Sequence, residues 1–176
     1  MNKRNEDKIE KNISIKLFSC LFTFLLPFIP IILFYFYNSE SDIIKNIATI
    51  LSNIPGFHSL KNPTLSYLLN TYIHTAPLTA FLLFLFTHKQ LKLKKDKSPF
   101  KALTILFLFS LFYLIMIYCF LLINTELTHS SKILKLMSLN NFFLSFFYIS
   151  LYCGIFLLTY LYLWFFIGTY KLFCRG

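Results

Sequence analysis

The sequence predicts an all-α membrane protein of four transmembrane helices with both termini in the cytoplasm. Three observations carry that prediction: four long uncharged stretches, charge confined to the connections, and basic residues concentrated on one side. The uncharged stretches run Leu17–Ser39, Asn62–His88, Ala102–Thr125 and Leu136–Tyr170, and none contains a Lys, Arg, Asp or Glu. A helix of about 20 apolar residues crosses a hydrocarbon core about 30 Å thick, and all four reach that length. In a soluble chain of 176 residues the core would take only one face of each helix and leave this much apolar length uncovered. In lipid the backbone must satisfy its own hydrogen bonds, so each stretch is a helix. Barrel strands would be shorter and would alternate polar with apolar residues.

The spans are expected at about 17–38, 65–87, 102–124 and 142–168, in one domain covering 17–170, flanked by an N-terminal arm 1–16 and a tail 171–176. Orientation follows from Lys and Arg. The N-terminal segment holds Lys3, Arg4, Lys8, Lys11 and Lys16, the middle connection six lysines, and the tail Lys171 and Arg175. The first and third connections hold only Lys45, Lys61, Lys132 and Lys135. Thirteen basic residues against four place both termini inside and two loops outside. The net charge of +10 is then an orientation signal in contact with anionic headgroups rather than a nucleic-acid footprint, because no basic-aromatic module accompanies it. No cleavable signal is expected, since the first span follows a mixed-charge segment and lacks a small-x-small site.

Met1–Lys16 is polar, of mixed sign, and read as a mobile cytoplasmic arm. Pro27 and Pro30 remove two backbone donors near the middle of the first span and should bend it. In the first outer loop Ile43, Ile44, Ile47, Ile50, Leu51 and Ile54 recur at helical spacing, which predicts a short amphipathic helix on the outer membrane surface, ended by Pro55-Gly56. The second span carries Asn70, Thr71, His74 and Thr75 ahead of Pro77. Asn70 and His74 share one face, as do Thr71 and Thr75, and such groups in lipid turn toward other helices. A proton-relay histidine is the weaker reading of His74, since no span offers an acidic partner.

The inner loop is basic and broken by Ser98-Pro99; in the second outer loop Glu126 is the one acid. The last stretch exceeds one span, so it tilts or begins in the interface. Its outer aromatics Phe142, Phe143, Phe146, Phe147 and Tyr148, and its inner set Tyr162, Trp164, Phe165 and Phe166, sit where interfacial anchors belong. Cys20, Cys119, Cys153 and Cys174 match no metal or redox spacing and read as small packing residues. Close helix approach is open at Ala76-x-x-x-Ala80 and Ser150-x-x-x-Gly154, either within the bundle or toward a partner.

The chain carries no Gly-rich phosphate loop, paired carboxylates or HExxH, so no enzyme, cofactor, metal site or small-molecule substrate is expected. Ion-coupled transport and a pore want polar spans, which Phe- and Leu-rich helices do not offer. A small transporter or accessory subunit and a holin-like protein stay open as alternatives to a bundle that binds another molecule in the bilayer.

Several ordered strings sharpen the choice. Ile54-Pro55-Gly56-Phe57-His58-Ser59-Leu60, Asn62-Pro63 and His74-Thr75-Ala76-Pro77-Leu78 resemble the immunity proteins of pore-forming colicins, in the colicin A and N group. So do Leu85-Phe86-Thr87-His88-Lys89, Met116-Ile117-Tyr118-Cys119-Phe120-Leu121-Leu122 and Thr125-Glu126-Leu127-Thr128, with Ile47-Ala48-Thr49 and Phe147-Tyr148-Ile149-Ser150-Leu151-Tyr152. The likeness spans about Ile43 to Tyr170. It implies a four-span inner-membrane protein that protects a colicin-producing cell. In that group the toxin's pore-forming domain inserts from the periplasmic side, and the immunity protein meets it in the membrane and prevents opening. The family has no catalytic residues to carry over. Toxin-binding candidates are then His58, Lys61, Glu126, Thr128 and His129 outside, with Asn70, His74, Ala76 and Ala80 within the second span. For any one of the loop residues, plain solvation is the competing reading.

Overall fold

The computed structural model describes residues 3–38, 41–88 and 99–174. Four helices or helix pairs are long and apolar enough to cross a membrane: Ser14–Tyr37, Pro63–Thr87, Phe100–Leu122 and Asn141–Phe173. The lysine-rich stretch 89–98, on which part of the orientation argument rests, lies outside the described residues.

The first span is built from α1 (Lys3–Leu25) and α2 (Phe28–Asn38). Helix α1 opens at Lys3, so the polar arm continues the first helix; residues 3–16 contain neither Gly nor Pro to oppose that. The expected bend is a full interruption at Leu26-Pro27. Pro27 and Pro30 offer no N–H to Thr23 and Leu26, whose carbonyls take the Leu26 and Ile29 amides instead, at 3.2 and 3.0 Å. The surface helix predicted from isoleucine spacing is α3 (Asp42–Leu51). Ile44 and Ala48 are buried, with α4 as the helix it packs on, while Ile43, Ile47 and Ile50 form an adjacent exposed stripe.

The second span is split as well, into α4 (Pro63–Ile73) and α5 (Ala76–Thr87), with a turn at His74-Thr75. Pro77 cannot donate to Ile73, and the Thr75 amide and hydroxyl both fall back on the Tyr72 carbonyl, at 3.0 and 2.7 Å. The Tyr72 hydroxyl donates to the Phe24 carbonyl at 2.6 Å, joining the two interrupted helices where both backbones are weakest.

Helix α6 (Pro99–Ile117) ends in a π-helical turn over Tyr118–Leu122 and forms the third span. Beyond it come α7 (Lys132–Leu139) and the 33-residue α8 (Asn141–Phe173). At 1.5 Å per residue α8 is about 50 Å long, well over one hydrocarbon thickness. Helix α7 was not anticipated. The uncharged run that looked continuous from Leu136 breaks at Asn140, whose side chain caps α8 by accepting from the Phe142 amide at 2.8 Å.

Helix α8 is the centre of the bundle and α5 its main neighbour, with α4, α6, α7 and α1 also against it. Leu65, Leu69, Ile73, Ala76, Ala80 and Leu83 form one buried stripe that continues across the α4–α5 break. It faces Leu144, Tyr148, Tyr152, Ile155 and Phe156 of α8. Ala76 and Ala80 are 0% exposed, so this small-residue pair serves the inside of the bundle. Ser150 and Gly154 are exposed on the far side of α8. Tyr148, expected as an interfacial anchor, is instead fully buried, because its hydroxyl finds a protein carbonyl at Phe57.

Hydroxyl pairs tie the spans together. Thr79 meets the Tyr152 hydroxyl at 2.8 Å and Thr87 meets that of Tyr160 at 3.0 Å, one register repeated eight residues apart on both helices. Across the α6–α8 seam Tyr113 stacks on Tyr162, with ring centres 4.4 Å apart, and shares a hydrogen bond with Thr159 at 3.1 Å.

Candidate functional site

The two loops that leave the same end of the bundle are joined into one cap. Strand β1 (Phe57–His58) pairs in parallel with β2 (Thr125–Glu126), with Phe57 opposite Thr125 and His58 opposite Glu126. The Thr125 amide donates to Gly56 O at 3.0 Å and the Leu127 amide to His58 O at 2.9 Å. Asn124 adds its side-chain oxygen to the Gly56 amide at 3.2 Å. Two such short strands do not hold by themselves; they are held by what lies beneath.

Beneath β1 sits the polar face of the second span. Asn70 is buried and donates from Nδ2 to the Pro55 carbonyl at 2.8 Å, and His74 Nε2 lies 3.0 Å from the same oxygen. Asn70 and His74 do share one face, but it turns toward a loop carbonyl at the Pro55-Gly56 turn rather than toward another helix, because that carbonyl has no partner within a helix or strand. Gly56 has φ +130°, a region that side chains with a β-carbon rarely enter, and such a carbon would overlap the Asn70 amide. The Tyr148 hydroxyl donates to Phe57 O at 2.7 Å from the fourth span. Ser59 is locked twice, its amide to Ser66 Oγ and its hydroxyl to Ser138 O, both at 3.2 Å.

Glu126 is the hub of the cap. Its carboxylate accepts the backbone amides of Leu60 at 3.1 Å, Thr128 at 2.9 Å and His129 at 2.7 Å. Desolvation is the largest single influence and raises the carboxyl pKa, yet the hydrogen bonds from Thr128, Leu60 and His129 together outweigh it and lower the value to about 2. One acid thus closes its own turn and fastens the first loop to the second.

The remaining candidates take distinct positions around this hub. His58 is half-buried and its ring stacks on Tyr67, 6.3 Å between centres. Thr128 is half-buried, whereas Lys61 and His129 are exposed. A cavity of about 180 Å³ opens beside them, lined by Ser52, Gly56, Phe57, His58, Tyr67 and Asn124. The fold therefore gathers His58, Glu126, Thr128 and His129 in the cap, seats Asn70 and His74 under it, leaves Lys61 at its edge, and withdraws Ala76 and Ala80 into the bundle interior. Sequence reasoning missed Asn124, Ser59, Ser66, Ser138 and Tyr148, the groups that assemble the cap. Only Gly56, a turn residue beside a buried amide, hinted at a close approach.

Comparison with known proteins identifies the family. The family model described as colicin immunity protein matches residues 40–175, which include every described part of the cap. The colicin-N immunity protein of Escherichia coli is 49% identical over 119 residues, covering 67% of this chain and 90% of the relative. The colicin-A immunity protein of Citrobacter freundii is 30% identical over 172 residues, 98% of this chain and 97% of that one. The colicin-B immunity protein of Escherichia coli is 29% identical over 156 residues, 89% of each. No solved structure matches this chain. With four apolar spans, a cap built from the strings that first suggested the likeness, and a family model covering most of its length, the chain belongs to the colicin immunity protein family.

Proposed function

We propose that this protein protects its cell by binding the membrane-inserted pore-forming domain of a colicin, colicin N or a near relative, and holding the channel shut. Both termini lie in the cytoplasm of a bacterial inner-membrane protein and the cap faces the periplasm, the side from which the toxin arrives. The observation that carries the reading is the cap: Glu126 and the β1–β2 pair make two loops into one rigid surface, seated on the second and fourth spans through Asn70, His74 and Tyr148. A rigid surface loses little conformational freedom on binding, so its contacts translate into affinity.

The mechanism is a shift of populations. A partner that binds the closed inserted toxin more tightly than the open one suppresses opening by that difference, and a 10⁴-fold suppression takes about 5.5 kcal/mol. Within the bilayer this must come from packing and a few hydrogen bonds, since lipid is as apolar as the helices. His58, Thr128 and His129, together with Lys61, present the polar part of the surface. Asn70 and His74 act by positioning it rather than by touching the toxin.

The test is survival. Sensitive Escherichia coli expressing the chain should withstand colicin N and die normally when given a nuclease colicin. Killing by the pore-forming colicins N, A and B alike, with the protein verified in the inner membrane, would overturn the proposal.

A further inference from the structure

We propose that α7, with Lys61 beside it, is a docking site for anionic phospholipid headgroups in the leaflet at the cap end. The helix has two unlike faces. Leu134 and Met137 are half-buried and Ser138 is buried, against α8 and the first loop. The opposite arc carries Lys135, Leu139, Lys132, Leu136 and Ile133 in that order around the wheel, all exposed. Lysines gather toward one flank of that arc and aliphatics toward the other; Ile133 and Leu136 are 67% and 65% exposed.

Two hydrogen bonds bring a third lysine to the same corner. Ser59 Oγ and Asn62 Nδ2 both donate to Ser138 O, at 3.2 and 3.3 Å, so Lys61 stands next to the last turn of α7. Lys61, Lys132 and Lys135 make no ion pair among the described residues. The nearby acid, Glu126, is already engaged by three backbone amides. Those amides leave its negative charge in place, so the corner sets three lysines against one carboxylate and stays net basic.

The start of α8 sets the depth of this corner. Helix α8 begins two residues after α7 ends, and Phe142, Phe143 and Phe146 at once turn outward to the lipid. A short helix at that level lies along the bilayer surface, its aliphatic flank among the upper acyl carbons and its lysines reaching up to phosphates. An acidic protein segment would answer the lysines but leave Ile133 and Leu136 in water. An anionic phospholipid satisfies both flanks at once.

The experiment uses the full chain with Trp164→Phe and Leu136→Trp, so that the sole tryptophan reports on α7. It is reconstituted into phosphatidylcholine vesicles containing phosphatidylglycerol, with bromine on the upper acyl carbons of one lipid or the other. Brominated phosphatidylglycerol should quench at least about fivefold more per mole than brominated phosphatidylcholine, the enrichment one surface lysine supplies. Lys61→Gln, Lys132→Gln and Lys135→Gln together should equalise the two lipids, and Lys45→Gln on α3 should leave the preference intact. Equal quenching before the lysines are changed, or no quenching by either lipid, would overturn the site. So would lysine substitutions that spare the lipid preference but abolish protection from colicin, a result that assigns the corner to an acidic stretch of the toxin.

Discussion

Asn70 donates to the Pro55 carbonyl across 2.8 Å, and this bond fastens the loop surface to the second span. His74, one turn further along, addresses the same oxygen at 3.0 Å. Cap geometry and bundle packing are therefore one problem: what disturbs the C-terminal half of α4 also disturbs β1.

Substitution at Gly56 tests that coupling. Gly56→Ala puts a β-carbon into the Asn70 amide and forces alanine to φ +130°. The expected cost is about 1–3 kcal/mol, read as an earlier unfolding midpoint in mixed micelles. Adding Asn70→Ala should relieve the overlap but leave the backbone strain and remove the bond to Pro55, so the double variant should lose less than the sum of the two single variants without returning to the parent midpoint.

Glu126 makes stability depend on pH. Its carboxyl pKa is lowered from 4.5 to about 2 in the folded protein, so its contribution is fully present above about 4.5 and is lost as the pH falls toward 2. Glu126→Gln should flatten the unfolding midpoint across that interval. At neutral pH it should also weaken protection, because the amides of Leu60, Thr128 and His129 lose a charged acceptor.

The two threonine–tyrosine pairs predict additive losses. Thr79→Val and Thr87→Val each remove one bond to α8, at Tyr152 and Tyr160, and should cost about 0.5–1.7 kcal/mol apiece. Two helical turns separate them, so the double variant should lose close to the sum. Unfolding in detergent at graded denaturant measures all three.

Membrane sidedness can be read by thiol labelling. With the native cysteines replaced by serine, a cysteine at Lys61 should react with an impermeant maleimide added to intact spheroplasts. With only Cys174 retained, labelling should appear after the membrane is opened. The reverse pattern would invert the proposed orientation.

Much of this architecture could be read beforehand because lipid imposes simple rules. Absent charge marked the spans, isoleucine spacing marked α3, and Pro27 with Pro30 marked the interruption between α1 and α2. The cap was hidden because β1 and β2 lie far apart in sequence and are two residues each, too short for any periodicity. Helix α7 was hidden by apolar residues running on toward α8, with Asn140-Asn141 as the sole break. Of the candidate residues, Asn70 and His74 were found by spacing, but their target at Pro55 depends on a turn no local pattern places. Glu126 stood out as a lone acid, yet its hold on Leu60 is a tertiary fact.

Potassium efflux from energised cells exposed to colicin N tests the central claim most directly. With this protein in the inner membrane, the toxin should still reach and insert into the bilayer, recoverable in a complex with the immunity protein, while efflux stays at the toxin-free rate. Efflux at the rate of unprotected cells, despite the protein being present and folded, would contradict the account.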